Sequence, residues 1–188
     1  AIAFVVDGLD GPMARALDVG ERLKRFSGER LDLVVDYLTY VFVPVLALRF
    51  ADFLPGTFGL VLCCAILLSS LFHFADVDSK SDTNHFVGFP AVWNIVAFHI
   101  FAFGPSALWV GIIVIGFVVL TFVPVHIVHP VRVKDWRAAT LAVFVTAGLA
   151  MISVLWTGLP ANPALQLVLV AILLYFIVLA TRDQLART

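Results

Sequence analysis

Charge is what this sequence has least of. Only 13% of its 188 side chains are Asp, Glu, Lys or Arg, while 62% are apolar and the mean hydropathy is +1.04. Soluble domains carry about 25% charged residues, so a soluble single domain is excluded, as are disordered and collagen-like chains. Residues 57–75, 87–131 and 138–181 contain no charged side chain at all, and a bilayer-spanning helix needs about 20 apolar residues. Cysteine is nearly absent too, and the pair present, Cys63 and Cys64, is adjacent within an apolar run. Neighbouring side chains on a helix diverge by about 100°, so a mutual disulfide is strained and both are expected to pack. A disulfide scaffold is thereby excluded. There is no Gly-rich phosphate loop, nucleophile elbow or Cys/His arrangement. His126 and His129 are three apart but lack a third ligand at metal spacing, and with His73, His85 and His99 they read as structural or interfacial.

What is present is a series of apolar runs between helix breakers. They predict an all-α integral membrane protein with seven helices: one ending near Asp18, then 29–53, 57–75, 87–103, 106–128, 138–157 and 163–181. The opening Ala-Ile-Ala-Phe-Val-Val reaches Asp7 after six apolar residues. That is far short of a span, and it lacks the basic segment and cleavage site of a signal peptide. The first helix is therefore expected to be partial, with an N-terminal helix and part of the next preceding residue 1. Residues 1–188 are expected to form a single transmembrane catalytic domain. Alternating the connections across the membrane puts Arg15, Arg22, Lys24, Arg25, Arg30, Lys80, Arg132, Lys134, Arg137, Arg182 and Arg187 on one side and Arg49 alone on the other. By the positive-inside rule the crowded side is cytoplasmic.

Four acids stand out against this background. Asp7-Gly-Leu-Asp10-Gly11-Pro-Met-Ala14-Arg15 is followed, after twelve residues, by Gly28-Glu-Arg-Leu-Asp32-Leu-Val-Val-Asp36. On a helix Asp7 and Asp10 share a face, as do Asp32 and Asp36, so two antiparallel helices offer four carboxylates to one site. Unpaired at the edge of a bilayer, four carboxylates repel one another and resist desolvation, whereas Mg²⁺ or Mn²⁺ removes both costs through all-oxygen ligation. Gly11 and Ala14 clear the face beside Asp7, Gly28 does the same at the next helix start, and Arg15 can pair with a phosphate. Solvated helix-end charge accounts for one or two of these acids, but not for four at helical spacing around two glycines.

This pattern resembles the signature of the CDP-alcohol phosphotransferases, membrane enzymes that move a phosphatidyl or related group from a CDP-linked donor to an alcohol. The usual eight residues between the family's arginine and second glycine are here twelve, residues 16–27, which is similar to the variant in its bacterial phosphatidylcholine synthase branch. Val35-Asp36-Tyr37-Leu38-Thr39-Tyr40-Val41, Gly88-Phe-Pro-Ala-Val-Trp93-Asn94 and the stretch from Phe122 through His129 and Arg132 to Lys134 also look like segments of that branch. The resemblance implies a helix bundle of that type, commonly homodimeric, in the bacterial inner membrane with its active site toward the cytosol. It implies CDP-diacylglycerol as donor and choline as acceptor, giving phosphatidylcholine and CMP, with no nucleic-acid partner. Asp7, Asp10, Asp32 and Asp36 match its metal ligands, for two ions of Mn²⁺ or Mg²⁺, and Asp36 matches its general base. Gly11, Ala14 and Gly28 match positions that make room for the nucleotide, and Arg15 matches the basic residue near the donor phosphates.

Were choline the acceptor, aromatic faces and a carboxylate would hold its quaternary ammonium, and Tyr37, Asp76 and Trp93 are the candidates. Arg132 and Lys134 are candidates for a lipid phosphate. Within the same superfamily, serine, glycerol phosphate or an inositol phosphate is the alternative acceptor. A cation transporter is the alternative of another class, disfavoured because the acids fall near helix ends rather than mid-membrane.

Overall fold

The computed structural model describes residues 13, 16–18, 25, 27–76, 85–128 and 136–185. Among these are six helical segments and one short ribbon. In order they are α1 (Gly28–Phe50), α2 (Gly56–Ala75), β1 (His85–Val87), α3 (Trp93–Phe103), α4 (Ala107–Thr121), β2 (His126–Val128), α5 (Arg137–Thr157) and α6 (Pro163–Leu185). This is the expected all-α polytopic membrane bundle. Of the first predicted helix the described residues hold one turn, in which the Leu17 amide donates to the Met13 carbonyl at 3.0 Å. Asp18 then takes a left-handed φ of 48°.

Local chemistry sets the helix ends. Ser27 caps α1 by accepting from the Arg30 amide at 3.3 Å, with Glu29 in the first turn. The helix stops at Phe50, three residues before the predicted boundary, because Asp52 turns left-handed (φ 59°) ahead of Pro55 and Gly56. The predicted break at Gly104-Pro105 is a left-handed glycine cap, its amide donating to the Ile100 carbonyl at 2.8 Å. Asn162 caps α6 by accepting from the Leu165 amide at 3.0 Å.

Two predicted spans are shorter than expected. The run 87–103 becomes helical only at Trp93, and the run 106–128 leaves the helix after Thr121. At 11 and 15 residues, α3 and α4 are roughly 16 and 22 Å long, against a hydrocarbon core of about 30 Å. Proline at 90 and 124 withholds backbone donors, and the residues beyond pair as antiparallel strands, with Phe86 opposite Ile127. Gly88 closes the ribbon at φ 76°, its amide donating to the Val125 carbonyl at 2.8 Å. A Cβ there would sit 2.5 Å from the Thr121 carbonyl oxygen.

Two apolar clusters hold the helices. The larger joins α1 to α4 around Leu48, Ile66, Trp93, Val110 and Val114. The smaller ties the end of α3 to α5 and α6 through Ala102, Val154 and Leu169. There the Ala102 carbonyl accepts from the Ala161 amide at 2.9 Å and from the Gln166 side chain at 3.1 Å. The outer surface is apolar as well, with Trp156 90% and Phe50 84% exposed, the distribution expected when lipid rather than water surrounds the protein.

Candidate functional site

One end of the bundle gathers the polar groups. The Tyr37 hydroxyl donates to the Leu67 carbonyl at 2.9 Å, and its ring meets Phe74 edge-on at 6.0 Å, so the first half of α1 lies beside the last turns of α2. Pairing of β1 with β2 brings the segments after α2 and after α4 to one place. At the other side of that end, the Arg182 guanidinium near the close of α6 lies 5.2 Å from the Trp136 ring at the start of α5.

Asp32 and Asp36 are one turn apart on α1, Asp32 exposed and Asp36 half-buried. Gly28 precedes them by one turn, and a Cβ there would meet nothing within 4 Å. Asp76 caps the end of α2 and is exposed. The structure thus brings Asp32, Asp36, Tyr37 and Asp76 to the same end of α1 and α2. Trp93 is placed differently from a residue open to a ligand. It is 0% exposed, its indole donates to the Ser70 hydroxyl at 2.9 Å, and its ring packs against Phe89 at 5.3 Å and Phe117 at 6.1 Å. Asp7, Asp10, Gly11, Ala14, Arg15, Arg132 and Lys134 lie outside the described residues.

The chemistry of the donors suits a hard cation. Asp32 and Asp36 supply carboxylate oxygens from one helix face, as Mg²⁺ and Mn²⁺ prefer. Among the described residues no group of three or more His, Cys, Asp or Glu comes together. A complete set on these two acids requires ligands from elsewhere, and Asp7 and Asp10 are the candidates. Cys63 and Cys64 are free thiols, the first buried and the second exposed. His99 donates from Nδ1 to the Ile95 carbonyl at 2.8 Å and stacks on Phe103.

Sequence reasoning missed one feature of the site. The residues just after Asp36, Tyr37–Phe42, form a π-helical turn inside α1. The available signal was Pro44, whose ring and missing N–H disturb the helical ladder one turn earlier.

No family model matches the chain, and no solved structure matches it. The curated relatives agree with one another. The phosphatidylcholine synthase of Bradyrhizobium diazoefficiens is 41% identical over 174 residues, which is 93% of this chain and 65% of that protein. That of Pseudomonas aeruginosa is 43% identical over 143 residues, 76% of this chain and 60% of that protein. That of Borreliella burgdorferi is 30% identical over 175 residues, 93% of this chain and 74% of that protein. The chain thus spans between 60% and 74% of the length of these relatives.

Proposed function

The chain belongs to the phosphatidylcholine synthase family, and from that premise we propose that it transfers the phosphatidyl group of CDP-diacylglycerol to choline, releasing CMP. The observation that carries this reading is the 41% identity across 93% of the chain, joined to two acids on one helix face beside an aromatic pair, Tyr37 and Phe74.

In the proposed reaction the choline hydroxyl oxygen forms a bond to the donor's lipid-side phosphorus while the bond from that phosphorus to the CMP oxygen breaks, in line and without a covalent enzyme intermediate. Asp36, half-buried and so less hydrated than Asp32, takes the hydroxyl proton as general base. Asp7, Asp10, Asp32 and Asp36 hold Mn²⁺ or Mg²⁺, which when bound neutralises charge on the diphosphate and the leaving CMP. Arg15 pairs with a donor phosphate, and Gly11, Ala14 and Gly28 leave room for the nucleotide. Tyr37 and Asp76 face choline's ammonium, Trp93 supports that wall from within the core, and Arg132 and Lys134 hold the lipid phosphate. A homodimer in the bacterial inner membrane, with this end toward the cytosol, completes the proposal. The clustering of basic residues supports the orientation.

The test is phosphatidylcholine formation from CDP-diacylglycerol and labelled choline by the purified full-length protein, with and without Mn²⁺, beside Asp36→Asn. Metal-dependent product is expected, with kcat reduced roughly 10²- to 10⁴-fold in the variant. CMP release with serine, glycerol phosphate or inositol phosphate instead of choline would refute the acceptor, and no turnover with any alcohol would refute the reaction.

A further inference from the structure

The π-turn in α1 changes which way the acids point. In a regular α-helix each residue turns about 100°. The buried stripe in the second half of α1 is Tyr40 (8% exposed), Val41 (0%), Pro44, Val45 (2%) and Leu48 (0%). Carried back at about 3.6 residues per turn, that stripe would pass through Tyr37 and between Leu33 and Val34, with Asp36 about 110° to one side. The observed inner face is different: Val34 is 56% and Leu38 44% exposed, whereas Leu33, Asp36 and Tyr37 are half-buried. The inner face is shifted toward Asp36 and away from Val34, the direction in which a π-turn, by inserting one residue into an α-helix, rotates the residues before it.

The sequence supplies the cause. Pro44 has no N–H to donate, and its ring clashes with the carbonyl four residues back, that of Tyr40. The wider ladder relieves this: the Val43 amide reaches back five residues to the Leu38 carbonyl. The Thr39 hydroxyl adds a second donor to the loosened turn, bonding the Val35 carbonyl at 2.9 Å and the Asp36 carbonyl at 3.4 Å.

We infer that this one-residue insertion, enforced by Pro44, is the positioning device that turns Asp36 from the outer side of α1 toward the interior of the bundle, with Asp32 on the same face one turn nearer the exposed helix start. Without it both acids would sit about 100° further round, away from the stripe of Val41 and Leu48. The inference deepens the proposed function, because it names what aims the metal-binding face, and its geometric part is testable without turnover.

The test removes or doubles the inserted residue in the full chain and reads Mn²⁺ binding by electron paramagnetic resonance. Deleting Leu38 absorbs the π-turn into a regular helix and keeps the two halves of α1 in their present relation, so Mn²⁺ affinity is expected to stay within about threefold. Inserting one alanine after Leu38 turns the acids outward and is expected to weaken Mn²⁺ binding at least about tenfold in protein that remains helical and monodisperse. An insertion that binds Mn²⁺ like the parent overturns the inference, as does a folded deletion that loses the ion. A bimane label at Val34→Cys, in a Cys63→Ala, Cys64→Ala background, reads the register directly. It is expected to be quenched by brominated lipid in the otherwise unaltered chain and shielded after the insertion. A shielded label in the unaltered chain overturns the inference even where a deletion prevents folding. Absence of Mn²⁺ binding in the parent, with the quenching pattern as expected, refutes the metal reading and leaves the register intact.

Discussion

Tyr37 and Trp93 are both aromatic residues beside the polar end of the bundle, yet their surroundings differ. Tyr37 is half-buried with its hydroxyl on the Leu67 carbonyl, so its ring stays near the surface of the site. Tyr37→Phe keeps the ring face and loses one hydrogen bond, a stability loss of about 0.5–1.5 kcal/mol with the choline KM nearly unchanged. Tyr37→Leu removes the face and is expected to raise the choline KM about 3- to 30-fold, the range of one cation–π contact. Trp93 is wholly enclosed by Phe89, Phe117 and Ser70. Trp93→Ala is therefore expected to cost about 3–5 kcal/mol, read as a lowered Tm in detergent, with the choline KM of the surviving folded fraction unchanged. A choline KM that rises severalfold in Trp93→Phe would move Trp93 back to the ligand. The acid pair was legible in the sequence because helical spacing alone puts Asp32 and Asp36 on one face. The burial of Trp93 was not, because it depends on Ser70 of another helix, 23 residues away.

Among the elements, breakers were the most readable signal and pairing the least. Pro55-Gly56, Gly104-Pro105 and the stretch from Gly158 to Pro163 stand between helices as their chemistry dictates. The ribbon was hidden because residues 85–87 and 126–128 sit next to long apolar runs that read as continuous helix, and strand pairing between them spans 41 residues from Phe86 to Ile127. Its sharpest local constraint is Gly88, where φ is 76° and a side chain would press on the Thr121 carbonyl oxygen. Gly88→Ala has to move the backbone of α4 or leave the left-handed region, both costly for an L residue. The expected outcome is a destabilisation of about 1–3 kcal/mol, measured as a fall in Tm, with the α2 to α3 connection becoming more accessible to limited proteolysis. An unchanged Tm and digestion pattern would mean that the ribbon does not restrain that connection.

For the whole molecule the governing quantity is the distribution of basic residues rather than the net charge of −1. Ser27 at the start of α1 and Asp76 at the end of α2 adjoin the stretches of sequence that carry most of the Arg and Lys, while Asp52 lies in the turn between α1 and α2 near Arg49. Tyr37 against Leu67 and Phe74 makes α1 and α2 antiparallel neighbours, so Ser27 and Asp76 must share a membrane face and Asp52 must lie on the opposite one. In the proposed orientation, which follows the positive-inside rule, the first face is cytoplasmic. In a background lacking Cys63 and Cys64, an impermeant maleimide added to intact cells is expected to label Asp52→Cys and to spare Ser27→Cys and Asp76→Cys until the membrane is opened. The reverse pattern would put the acid pair on the outer face, where cytosolic CDP-diacylglycerol headgroups and choline do not meet it, and the proposed reaction would fail with the orientation. Labelling of all three positions in sealed cells would instead break the antiparallel arrangement of α1 and α2, since one membrane face cannot hold both ends of a 23-residue helix about 34 Å long.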